Sequence, residues 1–224
     1  IFTWSGGSWS LAAKIIASDA NSYDYFGYSV SGLSSTVAIV GAFMVGGDDM
    51  MIVALNDSGS AYIFTLSGGV WSQSAKVAAS DAAASDYFGI SVSGLSSTVA
   101  IVGAYKDDDG GSDSGSAYIF TLSGGVWSQS AKVVASDAAT SDGFGISVSG
   151  LSSTVAIVGT YKDEDGGSRS GSAYIFTLLL SGGVWSQSAK VVASDAAASD
   201  YFGFSVSGLS STVAIVGLSS TVAI

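Results

Sequence analysis

The 224-residue chain carries 30 glycines and is 48% hydrophobic, yet it has no proline, cysteine or histidine; this excludes a disulfide framework, thiolate chemistry and an imidazole base. Eighteen acids against seven bases give a net charge of −11, without the Lys and Arg cluster that phosphate neutralisation needs, which argues against nucleic acid and anionic membranes as partners. Every acid except Glu164 is aspartate, a residue that hydrogen-bonds its own backbone in turns and supplies oxygens to hard cations.

The first residues, Ile1-Phe2-Thr3-Trp4, have neither the basic n-region nor the apolar core of a signal peptide, so an exported protein would be represented here by its mature form or by a fragment. No apolar run approaches the roughly 18 to 20 residues needed to span a bilayer, and membrane insertion is not expected. From Trp9 one text begins four times, at Trp9, Trp71, Trp127 and Trp185, and a fixed period of this kind overrides local readings. The first copy diverges most, its extra length falling in Met44 to Asn56, an apolar stretch containing Met50, Met51 and Ile52; the third carries Leu179 and Leu180 as an inserted pair.

Within a unit, β-branched and aromatic residues alternate with small polar ones between glycine and serine punctuation, which predicts four short strands. In the second copy these cover about Trp71 to Ala79, Gly89 to Ser93, Thr98 to Ala104 and Ser116 to Leu122. The first puts Trp71, Gln73, Ala75 and Val77 on one face and Lys76 on the other. No sustained helical period is present. The abundance of Ala, Val, Ile and Gly suggests sheets buried on both faces. An all-β fold follows, a β-propeller of four-stranded antiparallel blades in preference to a linear solenoid.

The expected organisation is one domain over residues 1–224, with units at about 9–70, 71–126, 127–184 and 185–217. Ile1-Phe2-Thr3 matches Ile63-Phe64-Thr65, so residues 1–5 are expected as the outer strand completing the last blade, with 218–224 as an extra segment. Closure could occur within one chain or between chains, the latter giving a ring or an open filament.

The text DYFGISVSGLSSTVAIVGAYKDDDGGSDSGSAYIF resembles an FG-GAP repeat, the unit of the integrin alpha-chain propeller. The Phe-Gly pair recurs as Phe26-Gly27, Phe88-Gly89, Phe144-Gly145 and Phe202-Gly203, and the second element as Gly41-Ala42, Gly103-Ala104, Gly159-Thr160 and Gly217-Leu218. The proline closing the family motif is replaced by Phe43, Tyr105 and Tyr161. Phenylalanine is expected to pack between sheets and glycine to permit close backbone approach or positive φ. The resemblance implies an extracellular or cell-surface adhesion-type module.

It also implies calcium loops. Against the family pattern D-x-D-x-D-G-x-x-D, Asp107, Asp109 and Asp113 match in the second copy, with Tyr105 at the first ligand position; the third copy keeps Asp163 and Asp165 but has Arg169 last. In the first copy only Asp48, Asp49 and Asp57 lie nearby. Calcium takes six to eight oxygens, so these loops need carbonyls or water to complete a shell; the alternative is an exposed hairpin loop kept soluble by aspartate. Asp81 with Asp86, Asp137 with Asp142, Asp195 with Asp200, and Asp19 with Asp24 recur in SDAxxSDYFG and read as turn acceptors.

Lys14, Lys76, Lys132 and Lys190 recur at one strand position, which reads as a solvated stripe or a repeated ion pair. A Ser-Lys pair or paired aspartates could serve a carboxylate-dependent hydrolase, but an active site is generally unique and these groups are repeated. The expected function is therefore non-enzymatic recognition of a protein or glycan ligand; the alternative is a structural repeat protein that self-assembles through blade edges into a fibre or coat.

Overall fold

The computed structural model describes residues 1–44, 57–179 and 181–219. In chain order its strands are β1 (Phe2–Ser5), β2 (Ser8–Leu11), β3 (Val30–Ser34), β4 (Val37–Ala42), β5 (Ser60–Ser67), β6 (Val70–Val77), β7 (Ser91–Ser96) and β8 (Val99–Ala104). They continue as β9 (Ser116–Ser123), β10 (Val126–Val133), β11 (Phe144–Ser152), β12 (Val155–Thr160), β13 (Ser172–Leu179), β14 (Val184–Val191), β15 (Ser205–Ser210) and β16 (Val213–Gly217). Three antiparallel four-stranded blades result: β3-β4-β5-β6, β7-β8-β9-β10 and β11-β12-β13-β14. Two-stranded sheets, β1-β2 and β15-β16, flank them.

The turns decide which strands pair. The SGG that joins β5 to β6 places Gly68 and Gly69 at φ 57° and 81°, the double positive-φ geometry of a tight hairpin whose twist matches that of its strands. The tryptophan strand is therefore the outer strand of the blade before it, and the blade starts at the VSGLS strand. The sequence unit and the blade are out of phase. Accordingly, Phe2–Ser5 is a third-strand equivalent that pairs with β2 from Phe2↔Leu11 to Ser5↔Ser8; it does not stand as the outer strand of the last blade. The expected start of a strand at Gly89 also moves to Ser91, because Gly89 sits at φ 93° and the Ile90 N–H turns back to the Tyr87 carbonyl.

Both faces of the inner strands of the central blade are buried, as a run such as Val-Ala-Ile-Val implies. Leu33, Ile39, Ile63 and Val77 of the first blade pack against Phe88, Val92, Val102, Tyr118 and Phe120 of the second. The second blade repeats the arrangement against the third, with Leu95, Ile101 and Ile119 facing Phe144, Val148 and Tyr174. The motif phenylalanine sits at this junction: Phe88 and Phe144 are fully buried, their rings 5.5 and 5.6 Å from those of Tyr118 and Tyr174. The motif glycines let the blades meet. A Cβ on Gly103 would fall 2.0 Å from the Gly145 carbonyl oxygen, so only glycine fits there.

Polar contacts repeat at every junction. Ser29, Ser91 and Ser147 donate their hydroxyls to the carbonyls of Gly89, Gly145 and Gly203, each at 2.8 Å. The amides of Gly94, Gly150 and Gly208 donate to Ser31, Ser93 and Ser149 of the preceding blade. The first strands β3, β7, β11 and β15 pack in succession, whereas β15 does not return against β3 as a neighbour would.

Candidate functional site

Two constellations among the described residues repeat from blade to blade, built largely from loops that the blade scaffold fixes. The first is a lysine held among aspartates. Lys132 on β10 points back across β9 and its Nζ lies 2.6 Å from Asp81, 3.1 Å from Asp107 and 2.6 Å from Asp109. Lys190 repeats this with Asp137 at 2.7 Å, Asp163 at 2.9 Å and Asp165. Asp107 is buried and also accepts from the Ser116 hydroxyl and, at 2.6 Å, from the Tyr118 hydroxyl. Tyr174 serves Asp163 in the same way. Among the described residues of the first copy, Lys76 pairs with Asp19 at 2.5 Å.

Charge and burial set the protonation states. Burial pulls Lys132 and Lys190 down, but hydrogen bonds to their three aspartates outweigh it and hold both ammonium groups above the ordinary lysine value. Burial raises Asp81 and Asp137, and the bond from the lysine with that from Tyr118 or Tyr174 brings them below the ordinary carboxyl value. Asp86 behaves oppositely: burial, aided by Asp107 and Asp108, pushes it up to about 6 even though the Ala83 amide donates to it at 2.6 Å.

Of the sequence-derived metal residues, Asp107 and Asp109 converge, as do Asp163 and Asp165. Asp113 stands apart, its backbone at φ 54° and its amide donating to Asp108 at 2.8 Å. The third partner in each centre is Asp81 or Asp137 from the SDAxxSDYFG loop. Carboxylate oxygens of Asp137, Asp163 and Asp165 lie within 4.8 Å of one another, a spacing suited to a cation, and the lysine ammonium stands among them. With Lys190 in place the residues present do not fit a calcium ion, whose shell needs six to eight oxygens. Asp48, Asp49, Met50, Met51 and Ile52 lie outside the described residues, as does Leu180.

The second constellation is a row of aromatic rings across the blades. Phe43 contacts Tyr25 at 5.1 Å, Tyr28 at 4.8 Å and Tyr87 at 5.6 Å. From there Tyr87 stacks on Tyr105 at 5.8 Å, Tyr105 meets Tyr161 at 6.3 Å, and Tyr161 meets Tyr201 at 6.1 Å and Phe204 at 5.9 Å. Phe43, Tyr105 and Tyr161 are the residues that stand where the family motif has proline, so the departure from the motif builds the row. Tyr25, Tyr87 and Tyr201 hold φ of 54°, 56° and 52°, a left-handed conformation that costs an L-residue roughly 1 to 2 kcal/mol.

The equivalent position in the third blade is Gly143, whose Cβ would fall 2.5 Å from the Tyr161 ring. Beside Gly143 lies a cavity of 310 Å³ lined by Tyr105, Lys106, Asp113, Ser141, Tyr161 and Lys162. Lys106 lies 4.7 Å over Tyr87 and Lys162 4.8 Å over Tyr161, so the row carries cations that no aspartate neutralises among the described residues. Sequence reasoning missed this row. Its signal was present in the repeated aromatic that replaces proline and in the tyrosine preceding each Phe-Gly except Phe144-Gly145.

Blades of this topology, with a Phe-Gly pair at each junction, define a propeller-type repeat protein. The family model for the FG-GAP repeat matches residues 9–64, 71–120, 127–176 and 185–220, and the chain belongs to that family. No curated protein matches its sequence. Among solved structures it is similar to Sqt1 of Saccharomyces cerevisiae, with a TM-score of 0.46 and 9% identity over 80% of this chain. The chain spans 38% of that protein's length.

Proposed function

We propose that this chain is a non-enzymatic recognition module of the extracellular or cell-surface kind, taking a protein or glycan ligand on its aromatic row. The observation that supports this is the row itself. Tyr25 and Tyr28 are 50% and 63% exposed although both pack on buried Phe43, and three tyrosines hold strained backbone, which is the mark of side chains placed for a task beyond stability. Flat rings with an exposed face accept sugar C–H groups or apolar side chains, and the Gly143 cavity sits at the lower end of the roughly 300 to 1,000 Å³ typical of ligand pockets. The lysines beside it suit an acidic group on the ligand.

The carboxylates do not favour a hydrolase, because those that converge are balanced by lysine and repeated in near copy, and the chain has no histidine or cysteine. A calcium role would require Lys132 or Lys190 to withdraw. FG-GAP repeats are typically extracellular, and no helix among the described residues is long and apolar enough to cross a membrane.

The test is retention on an immobilised panel of neutral oligosaccharides, acidic oligosaccharides and matrix proteins. Whatever the chain retains should be bound at least about tenfold more weakly by Tyr105→Ala and by Tyr161→Ala, while Tyr118→Phe, inside the blade, binds as the parent does. A ligand whose affinity ignores the row would overturn the reading.

A further inference from the structure

In a chain of near-identical copies, a site for one particular ligand lies where the copies differ. Residues 71–122 and 127–178 align without a gap. Ala78, Ala84, Tyr87, Ala104, Asp108 and Asp113 of the one stretch are Val134, Thr140, Gly143, Thr160, Glu164 and Arg169 of the other, and all other positions are identical. These differences do not scatter. Thr140, Glu164 and Arg169 line a cavity of 240 Å³, and Gly143 lines the cavity of 310 Å³ beside Tyr105 and Tyr161. Ser141 and Lys162 line both cavities. Most of what distinguishes the third copy from the second therefore converges on two loops, the one before β11 and the one after β12.

The same place gathers cations. Lys76, Lys132 and Lys190 are paired with aspartates, whereas Lys106, Lys162 and Arg169 form no ion pair among the described residues. Arg169 stands where the earlier copies have Asp57 and Asp113, and the three share a left-handed backbone at φ 58°, 64° and 54°. Its carbonyl accepts the Tyr201 amide at 3.1 Å, as that of Asp113 accepts the Gly143 amide at 3.1 Å. A guanidinium is thus presented by a loop whose other copies present a carboxylate. Of the acids that line the cavities, Asp142 already accepts from the Ala139 amide at 2.7 Å and Glu164 from the Ser168 hydroxyl at 3.2 Å. Asp113 donates its amide to Asp108, and its carboxylate is open to a hydroxyl donor.

We infer that these adjoining cavities bind an acidic sugar residue, its ring against Tyr105 and Tyr161, its acid group on Lys162 and Arg169, and a hydroxyl on Asp113. The inference rests on the aromatic row as the binding surface and names the class of ligand that the row takes. The balance of charge decides that class. Lys106, Lys162 and Arg169 share the cavities with Asp113, Asp142 and Glu164, so a polyanion such as an acidic peptide meets repulsion along with attraction. A sugar carrying one acid and several hydroxyls uses both signs: the guanidinium takes a carboxylate or sulfate through paired N–H donors, and a carboxylate accepts from the hydroxyls. The tyrosine rings supply an apolar wall with a polar tip, which suits the C–H face of a pyranose.

The test is calorimetric titration of the 224-residue chain with an oligogalacturonate, a sulfated galactan oligosaccharide, a neutral galactan oligosaccharide and a polyglutamate peptide. The expected result is that one of the acidic sugars binds at least about tenfold more tightly than the neutral one; which of the two does so separates a carboxylate from a sulfate as the recognised group. Arg169→Asp and Gly143→Tyr each install the residue that the second copy carries, and each should weaken that binding at least about tenfold. Arg169 is exposed, so its replacement reads binding without loss of fold. Lys14→Asp, the same change of charge away from the cavities, should bind as the parent does. Equal affinity for acidic and neutral sugars, no binding of either acidic sugar, tighter binding of polyglutamate, or indifference to Arg169→Asp overturns the inference. A neutral sugar or a protein that depends on Tyr105 and Tyr161 but not on Arg169 overturns it too and leaves the aromatic row standing. An acidic sugar that depends on Arg169 yet ignores Tyr105→Ala and Tyr161→Ala overturns the row, and with it the place given to the sugar ring.

Discussion

At the residue scale, the lysine centres explain why a strongly acidic chain can bury carboxylates. Asp107 and Asp163 are 4% exposed, and a buried carboxylate is tolerated only when paired and hydrogen-bonded. Lys190→Met should therefore cost about 3 kcal/mol, the loss expected when one partner of a largely buried pair is removed, seen as a lower urea midpoint with unchanged slope. Millimolar calcium should recover part of that loss in the variant, because Asp137, Asp163 and Asp165 are then free to take a hard cation, while the parent's midpoint stays where it was. A parent protein equally stabilised by calcium would show that Lys190 yields to the ion. The same groups set the pH response. Asp86 and Asp142 have folded values above the ordinary 3.8, so their contribution is full below that value and lost as pH rises through about 6 for Asp86. Asp19, Asp81 and Asp137 lie below 3.8; their contribution is present above it and lost as pH falls through their depressed values. Lys132 and Lys190 contribute until pH passes well above the ordinary 10.5. Melting temperature measured against pH should peak between about 4 and 6, and a curve that climbs steadily to pH 8 would contradict this assignment.

At the element scale, two kinds of glycine make opposite predictions. Gly124 sits in a hairpin turn at φ 56° with open space where a Cβ would be, so Gly124→Ala should cost about 1 kcal/mol of backbone strain. Gly103 has ordinary φ, but its Cβ would strike the backbone carbonyl of Gly145 across the junction, and separating two packed blades should cost about 3 kcal/mol. Chemical denaturation of the pair separates strain within a turn from spacing between sheets. These glycines also show how far the elements were legible. Strand content, the buried faces and the role of Phe-Gly followed from alternation and repeat. The blade boundary did not, because a repeat fixes the period and leaves the phase open. The phase was present in the Gly68-Gly69 pair, whose double positive φ makes the tryptophan strand the hairpin partner of β5. The acidic loops were legible as clusters, but the third carboxylate of each comes from a neighbouring crossover, and Lys132 reaches it across β9. Sequence spacing cannot report a contact of that kind.

At the scale of the whole molecule, the chain is a row of near-identical sheets in which each blade touches only its neighbours. Stability in such an array is close to a sum of blade and junction terms, so position in the row decides how often a strand opens. β9 lies within the central blade, which has a closed junction on both sides. β2 and β16 lie in two-stranded sheets, and an isolated two-stranded sheet is marginal in water. Trp4, Trp9 and Phe2 are 58%, 68% and 64% exposed on one of these halves, so little apolar burial holds it shut. Amide hydrogen exchange in dilute solution should therefore protect Ile119 and Ala117 at least about 100-fold more than the amides of β2 and β16. Protection in β5 and β13 should fall between these limits, because each of their blades has one neighbour complete and one half-built. Uniform protection from β1 to β16 would mean that the array unfolds as one cooperative unit, and the junction geometry would then be coupling the blades more tightly than pairwise contact allows.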